Sequence, residues 1–190
     1  MNDPGTRPRS VLLVALFGIA GLVVAVDQVT KQLAIHYLED RPPIPVIGDL
    51  AGFAFYRNPG AAFGMGAGST WVFALIAMVV LVGILFAGRK LGSRGWALGL
   101  GLLLGGLTGN LLDRLFRAPG AFHGAVVDFI DLYFFICNVA DIAISAAAVV
   151  VVVLTFRGIG LDGRREGEDP APGTDEQGPG PQAPEERETA

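Results

Sequence analysis

Four long apolar blocks, separated by shorter polar segments, dominate the pattern of this chain. The blocks occupy residues 11–27, 70–87, 96–116 and 138–156. Each is close to the length of about 20 residues that an α-helix needs to cross the hydrocarbon core of a bilayer. The pattern therefore predicts an all-α membrane protein with four transmembrane helices, built from residues 11–156.

The first block could also be a cleavable signal peptide, because Arg7 and Arg9 precede an apolar core. However, the core continues into D-Q-V-T-K-Q-L-A (27–34) and has no small-residue cleavage site there. We therefore interpret this block as a first membrane helix that leaves the bilayer between Asp27 and Tyr37.

Two connecting segments, 38–69 and 117–137, are long enough to hold structure of their own. In the first, Pro42, Pro43 and Pro45 exclude a helix. The apolar stretches I-P-V-I and F-A-F-Y-R flank a turn that contains two glycines. This arrangement predicts a small β-hairpin, or cradle, that lies on the membrane.

Composition supports a membrane protein and limits the chemistry. Of the 190 residues, 52% are hydrophobic, more than the share of about 45–50% in soluble domains. The formal net charge of −4 leaves no basic surface for nucleic acid. One Cys and two His are too few for a cysteine or histidine metal cluster, so we expect no metal and no other cofactor.

The basic residues of the chain ends and short connections indicate the orientation. A four-helix topology brings them to one side of the membrane, which the positive-inside rule places in the cytoplasm: Arg7 and Arg9; Arg89, Lys90 and Arg94; Arg157, Arg164 and Arg165. Residues 1–10 and the tail 157–190 share that side. The tail is rich in Gly, Pro, Asp and Glu, which predicts a disordered acidic segment. The segments 38–69 and 117–137 are then extracytoplasmic.

Polar side chains gather at the extracytoplasmic helix ends, where acids are costly to keep near lipid. Asp27 and Lys31 are spaced i, i+4 and can pair on one helix face. Both an ion pair at the membrane interface and a role in positioning substrate or lipid fit this spacing. Asn110, Asp113 and Arg114 share a second helix face, where an Asp–Arg pair is more often structural than catalytic.

Two further carboxyl groups lie close together in the sequence. Asp141 begins the last block one turn after Asn138, which is a favourable N-cap residue. Asp128 lies in the extended segment V-V-D-F-I, and alternation puts Asp131 on the opposite, solvent-facing side. Cys137 between them has apolar neighbours and no nearby His, which indicates a buried, inert thiol rather than a nucleophile.

Two carboxyl groups that share a proton can supply the acid and the base of a hydrolytic reaction. Asp141 could form such a pair with Asp128 or with Asp113. The cations Arg114 and Arg117 would hold Asp113 ionised and occupied, whereas Asp128 has no cation beside it in the sequence. On that ground we favour Asp128 as the partner of Asp141.

Five motifs, taken together and in this order, resemble the lipoprotein signal peptidase family, also called signal peptidase II. They cover the four-helix core and read D-Q-V-T-K (27–31), N-P-G-A-A-F-G (58–64), G-N-L-L-D-R (109–114), V-V-D-F-I-D (126–131) and N-V-A-D-I-A-I (138–144). The sequence departs from the commonest family pattern at Cys137, where Phe is frequent, and in the short segment between the last two motifs.

The resemblance implies an aspartic endopeptidase of the bacterial inner membrane, and we expect it to be a monomer. Such an enzyme removes the signal peptide of a prolipoprotein whose lipobox cysteine already carries a lipid, and it contacts membrane lipid as well. The family's catalytic pair corresponds to Asp128 and Asp141. Its supporting, substrate-binding positions correspond to Asp27, Lys31, Asn58, Asn110, Asp113, Arg114 and Asn138.

Two non-enzymatic functions compete with this interpretation. Intramembrane acids also mark ion pathways in transporters, but those acids would be spread through the depth of the bilayer. A scaffold subunit that docks a partner through its hairpin would leave the converging acids without a role.

Overall fold

The computed structural model describes residues 9–60 and 70–165, and it contains four long helices and a small sheet. The helices are α1 (Arg9–Leu38), α2 (Thr70–Ala87), α3 (Arg94–Phe116) and α4 (Val139–Phe156), with a short 3-10 turn, Gly88–Lys90, after α2. All four are long and apolar enough to cross a membrane. The chain is thus a multi-pass membrane protein, as the apolar blocks predict.

Helix α1 continues well beyond its apolar block. Asp27, Lys31 and Ala34 recur on one face of the helix, and all three are buried. Asp27 and Lys31 are 0% exposed and form an ion pair of 2.9 Å, so the pair that their spacing predicts is buried inside the protein. Their face of α1 is directed into the helix bundle.

Helix α3 is the centre of the bundle and packs against α1, α2 and α4. Glycines make this close packing possible. A Cβ atom added at Gly105 would lie 2.7 Å from Val23 Cβ of α1, and one at Gly106 would lie 2.6 Å from the Ala140 carbonyl oxygen of α4. In the described ranges, α2 and α4 make no extensive contact with each other.

The sheet is antiparallel and has the strand order β1 (Ile44–Ile47), β2 (Ala51–Asn58), β3 (Val126–Asp131), β4 (Ile136–Cys137). Strands β1 and β2 form the predicted hairpin. The segment 117–137 contributes two more strands, which local sequence pattern did not indicate as partners of the hairpin. The pairing places Tyr56 opposite Asp128.

Strand β3 does not have one buried and one exposed face. Val126, Val127, Asp128 and Phe129 are all buried, because helices and loops cover both sides of the strand. Asp131 at its end is only half-buried and accepts a hydrogen bond from the Tyr133 N–H. Val127 and Phe129 pack against Ala34 of α1, whereas Val126 and Asp128 line a cavity on the other side, so the side chains alternate as predicted although both sides are covered.

The ordered chain extends past the predicted start of the disordered tail. The segment 157–165 folds back on the connection between α2 and α3: Trp96 Nε1 donates to the Ile159 carbonyl at 2.8 Å, and the Gly92 N–H donates to the Leu161 carbonyl at 2.8 Å. One hydrogen bond from the Trp96 side chain and one from the Gly92 backbone thus hold a stretch whose composition alone predicts disorder. Residues 166–190, the rest of that tail, lie outside the described residues, as do 1–8 and most of the N-P-G-A-A-F-G motif.

Replacing Gly106 by Ala tests the packing of α3 against α4. The new Cβ atom would collide with the Ala140 carbonyl and with Ile144 Cγ1, at 2.6 and 2.7 Å. We expect Gly106→Ala to lower the free energy of unfolding by about 1–3 kcal/mol, measured by thermal unfolding in detergent. Gly83→Ala is the matched control, because nothing lies within 4 Å of a Cβ there. Equal stability of the two variants would contradict the proposed close packing.

Candidate active site

The N-terminus of α4 fixes the position of Asp141. Asn138 is the N-cap, and its side-chain oxygen accepts from the Asp141 N–H at 3.0 Å. In return, the Asn138 N–H donates to Asp141 Oδ2 at 3.1 Å. Asn138 and Asp141 thus form a capping box, which satisfies two backbone N–H donors at the helix start and holds the carboxyl group in the first turn.

Asp128 lies on β3 and is 1% exposed. Its Oδ1 accepts from Asn138 Nδ2 at 2.6 Å, and its Oδ2 accepts from Asn58 Nδ2 at 2.8 Å. Asn138 therefore contacts both carboxyl groups, Asp128 through its side chain and Asp141 through its backbone and side chain. One residue holds the two acids beside each other.

Burial raises the pKa of Asp128 to about 6, and the nearby Asp141 carboxylate also favours the protonated form. The hydrogen bonds from Asn58 and Asn138 oppose this rise, because amide donors stabilise a carboxylate. Asp128 therefore keeps its proton to a higher pH than an ordinary aspartate. A neutral acid beside a second carboxyl group is the arrangement that acid–base catalysis needs.

Behind the pair, Lys31 is completely buried and all three of its donors are used. Its Nζ lies 2.9 Å from Asp27 Oδ2, 3.0 Å from Asp113 Oδ2 and 2.9 Å from Asn110 Oδ1. Asn110 Nδ2 in turn donates to Asp141 Oδ1 at 2.8 Å. Asn110 therefore connects Lys31 to Asp141.

The two carboxylates bound by Lys31 also hold the backbone next to each acid of the pair. Asp27 Oδ1 accepts from the Ala140 N–H at 3.0 Å, one residue before Asp141. Asp113 Oδ2 accepts from the Val127 N–H at 3.1 Å, one residue before Asp128. A single ammonium group thus connects α1 and α3 to both segments that carry the paired acids.

Arg114 does not pair with Asp113, contrary to the expectation from sequence. The partners of Asp113 are Lys31 and Arg117, whose Nε lies 2.6 Å from Asp113 Oδ1. Adjacent residues on a helix point in different directions, whereas residues four apart share a face. The expectation that Arg117 engages Asp113 is confirmed, and Arg114 is directed elsewhere.

Arg114 lies on the cavity side of α3. Its two Nη atoms donate to the carbonyl oxygens of Asn110 and Gly60 at 3.2 and 3.1 Å, and its guanidinium lies 5.9 Å from the centroid of the Phe73 ring. Its buried Nε has no hydrogen-bond partner within the described part of the chain. One hydrogen-bond donor of Arg114, next to the paired acids, is thus unsatisfied among the described residues.

A cavity of about 430 Å³ opens in front of the two acids. Its walls come from α2, α3, α4 and the sheet, and they are mostly apolar: Asn58, Gly60, Phe73, Ile76, Ala77, Leu107, Asn110, Arg114, Val126, Asp128, Phe135, Ile136, Cys137, Asp141, Ile144 and Ser145.

The Cys137 thiol in this wall is not a nucleophile. Burial raises the pKa of Cys137 to about 11, so this thiol is protonated and a poor nucleophile.

The structure brings all nine sequence-predicted site residues into one connected cluster, but at different depths. Asp128, Asp141, Asn58, Asn110 and Arg114 line the cavity. The others lie behind it: Asp27, Lys31, Asp113 and Asn138. Among residues 9–60 and 70–165, no group of three or more His, Cys, Asp or Glu side chains is placed to hold a metal ion.

Gln28 belongs to the same cluster and has no role in the sequence-based prediction. Its Nε2 lies 3.2 Å from Asp27 Oδ2, 3.1 Å from the Gly109 carbonyl oxygen and 3.1 Å from Asp113 Oδ1. A neutral residue next to Asp27 gives no signal by its own chemistry. Only the packing of α1 on α3 makes its role visible.

Four membrane helices, with two aspartates that are both hydrogen-bonded to Asn138 at the wall of an apolar cavity, are the arrangement expected of a membrane aspartic peptidase. Residues 19–157 match the family model described as signal peptidase (SPase) II. This chain belongs to that family.

Individual relatives agree with this assignment. The chain is 48% identical over 166 residues to a lipoprotein signal peptidase of Rhodococcus jostii, covering 87% of this chain and 82% of the relative. It is 50% identical over 149 residues to a lipoprotein signal peptidase of Streptomyces coelicolor, covering 78% and 73%. A bacterial membrane enzyme solved by the in meso method at 2.3 Å superposes with a TM-score of 0.66 at 28% identity, covering 74% of this chain and 87% of that one.

The raised pKa of Asp128 can be tested by infrared spectroscopy. A buried protonated carboxyl group should give a C=O band that persists at pH 5 and disappears as the pH rises through about 6. Asp128→Asn should remove this band. Asp131→Asn, on the same strand, should retain it, and a band that survives in Asp128→Asn would assign the buried proton to another group.

Proposed function

We propose that this protein is a membrane endopeptidase that removes signal peptides from prolipoproteins, with Asp128 and Asp141 as the catalytic pair. The observation that carries the proposal is the joint hydrogen bonding of both acids to Asn138, at the wall of one largely apolar cavity. Two neighbouring carboxyl groups share one proton, so that one can act as general acid and the other as general base.

The reaction follows from this sharing. The ionised carboxylate removes a proton from water as the water oxygen attacks the scissile carbonyl carbon. The protonated carboxyl group donates a hydrogen bond to the carbonyl oxygen and later supplies a proton to the leaving amine. We assign the general acid to Asp128, because burial raises its pKa and favours its protonated form, and the general base to Asp141.

Two cavity residues can bind the backbone of the substrate. Arg114 has a buried Nε without a partner among the described residues, and it lies on the same wall as Asn110. A guanidinium group at this wall would stabilise a peptide carbonyl oxygen more strongly as negative charge develops on it. We therefore assign Arg114 to substrate binding and transition-state stabilisation.

The residues behind the cavity act by positioning the pair. Asp27 and Lys31 are 0% exposed and do not line the cavity, so their contact with substrate is excluded in this arrangement. Asp113 accepts from the backbone N–H next to Asp128, and Asn138 contacts both acids. Sequence resemblance places these residues among substrate-binding and supporting positions; we assign them the supporting role only.

The substrate itself is proposed to be a membrane helix with a lipid-modified lipobox cysteine. Among the described residues, α2 and α4 are not packed extensively together, and both contribute to the cavity wall. A substrate helix can approach the acids laterally between these two helices without leaving the bilayer. Apolar walls suit a segment and a lipid that both come from hydrocarbon.

We place the protein in the bacterial inner membrane with both termini in the cytoplasm. The basic clusters Arg89–Lys90 and Arg157 support this orientation, because the two lie at the helix ends opposite the sheet. The sheet and the paired acids then lie near the extracytoplasmic face. We propose that the protein acts as a monomer, since one chain supplies both acids and the cavity.

Substituting either acid tests the catalytic assignment. We expect Asp128→Asn and Asp141→Asn each to lower cleavage of a diacylglyceryl-modified prolipoprotein by at least about 10³-fold, because a single carboxyl group has no partner with which to exchange the proton. Purified protein in detergent with EDTA is compared with Asp131→Asn, which should cleave at the wild-type rate. Cleavage at that rate by a folded Asp128→Asn would remove Asp128 from the mechanism, and a well-folded wild type that does not cleave would favour transport or scaffolding.

Narrowing the space between α2 and α4 tests lateral access. Ser145 is exposed and lines the cavity, so Ser145→Phe should obstruct the substrate helix and raise KM by about 10-fold. Ile142→Phe on the same helix is the matched control, since Ile142 is 50% exposed and does not line the cavity. Equal KM values for the two variants would show that the substrate approaches from another side.

A further inference from the structure

Two side chains hold Asp113 from the side opposite the cavity. Arg117, directly after the end of α3, places its Nε 2.6 Å from Asp113 Oδ1, and Gln28 Nε2 donates to the same oxygen at 3.1 Å. Arg117 Nη2 also donates to Gln28 Oε1 at 3.5 Å. Asp113 is thus bound by two cations, Lys31 on one oxygen and Arg117 on the other.

Neither Arg117 nor Gln28 reaches the cavity in front of the paired acids. Both line a separate, shallower groove of about 330 Å³ between α1 and α3. Arg117 is therefore separated from a bound substrate by the Asp113 side chain. Any effect of Arg117 on the reaction must pass through Asp113.

Asp113 has two routes to the catalytic pair. Its Oδ2 accepts from the Val127 N–H, next to Asp128, and binds Lys31, which donates to Asn110. Asn110 in turn donates to Asp141. A change in the position of Asp113, or in the charge around it, therefore alters the surroundings of both acids.

The balance of charges behind the pair indicates what Arg117 contributes. The cluster behind the pair holds two carboxyl groups, Asp27 and Asp113, and two cationic groups, Lys31 and Arg117. Without Arg117, one ammonium group faces two acids, and a negative charge is left in a site of low polarity. Such a charge favours the protonated form of any acid nearby.

We propose that Arg117 is a positioning residue of the peptidase: through Asp113 it fixes the strand that carries Asp128 and balances the charge behind the catalytic pair. This inference rests on the proposed function. Gln28 completes the arrangement by orienting Arg117 and Asp113 toward each other. The substrate does not touch either side chain.

The pH dependence of cleavage distinguishes this role from a merely structural one. The charged and titratable groups that face Asp113 and the pair come from every packed element: Asp27 and Lys31 of α1, Arg114 of α3, Asp128 of β3, Cys137 of β4 and Asp141 of α4. None of these changes in an Arg117 variant. A shift of the pH profile therefore reports the lost cation.

The experiment measures kcat, KM and the pH profile of cleavage for full-length wild type, Arg117→Gln and Arg117→Lys. We expect Arg117→Gln to lower kcat about 10-fold at unchanged KM and to move both limbs of the profile upward by about half to one pH unit. Arg117→Lys keeps the cation and should restore the wild-type profile. Arg89→Gln, which removes a cation at another helix end, is the matched control.

A folded Arg117→Gln with wild-type kcat and pH profile would overturn the inference, and so would a profile shifted equally in Arg117→Lys. If Arg117→Gln does not fold, Arg117→Met makes the same test, because it removes the cation and keeps an apolar side chain of similar length. An upward shift in Arg117→Met that Arg117→Lys does not show supports the inference, and an unchanged profile overturns it. Absence of cleavage by wild type would instead refute the proposed function.

Discussion

The buried ammonium group of Lys31 is the interaction on which the site depends. It has left water completely, and three oxygen atoms on two helices compensate for that loss. Removing one partner from a buried charge network typically costs about 3–5 kcal/mol, so the geometry is strongly determined. Because the two acids bound by Lys31 each hold the backbone beside one acid of the proposed catalytic pair, the ammonium group links the two segments that carry Asp128 and Asp141.

This arrangement requires helices that approach closely, and glycine supplies the space. A Cβ atom at Gly109 would lie 2.5 Å from Asp27 Oδ2, inside the network itself. Gly106 similarly admits the Ala140 carbonyl of α4. The glycines of α3 are therefore part of the site, since they allow α1 and α4 to reach the same buried charge.

Local patterns predicted the helices, the Asp27–Lys31 pair and the N-cap at Asn138, because each depends on spacing within a single element. Pairing of β3 with β2 and the contact of Gln28 with α3 depend on packing between distant segments, which local spacing does not encode. Arg114 shows the same limit: proximity in sequence suggested an Asp113 partner, but helix geometry gives that place to Arg117. The five ordered motifs supplied the family, and with it the catalytic hypothesis.

The most direct test of the account is a crystal structure with a prolipoprotein-derived peptide in which a hydroxyl-bearing tetrahedral carbon replaces the scissile carbonyl. If Asp128 and Asp141 act as one catalytic pair, the hydroxyl oxygen should lie between them, about 2.7–3.1 Å from an oxygen of each, with the peptide backbone near Arg114. A peptide bound with its hydroxyl on only one of the two acids, or outside the cavity, would contradict the central claim.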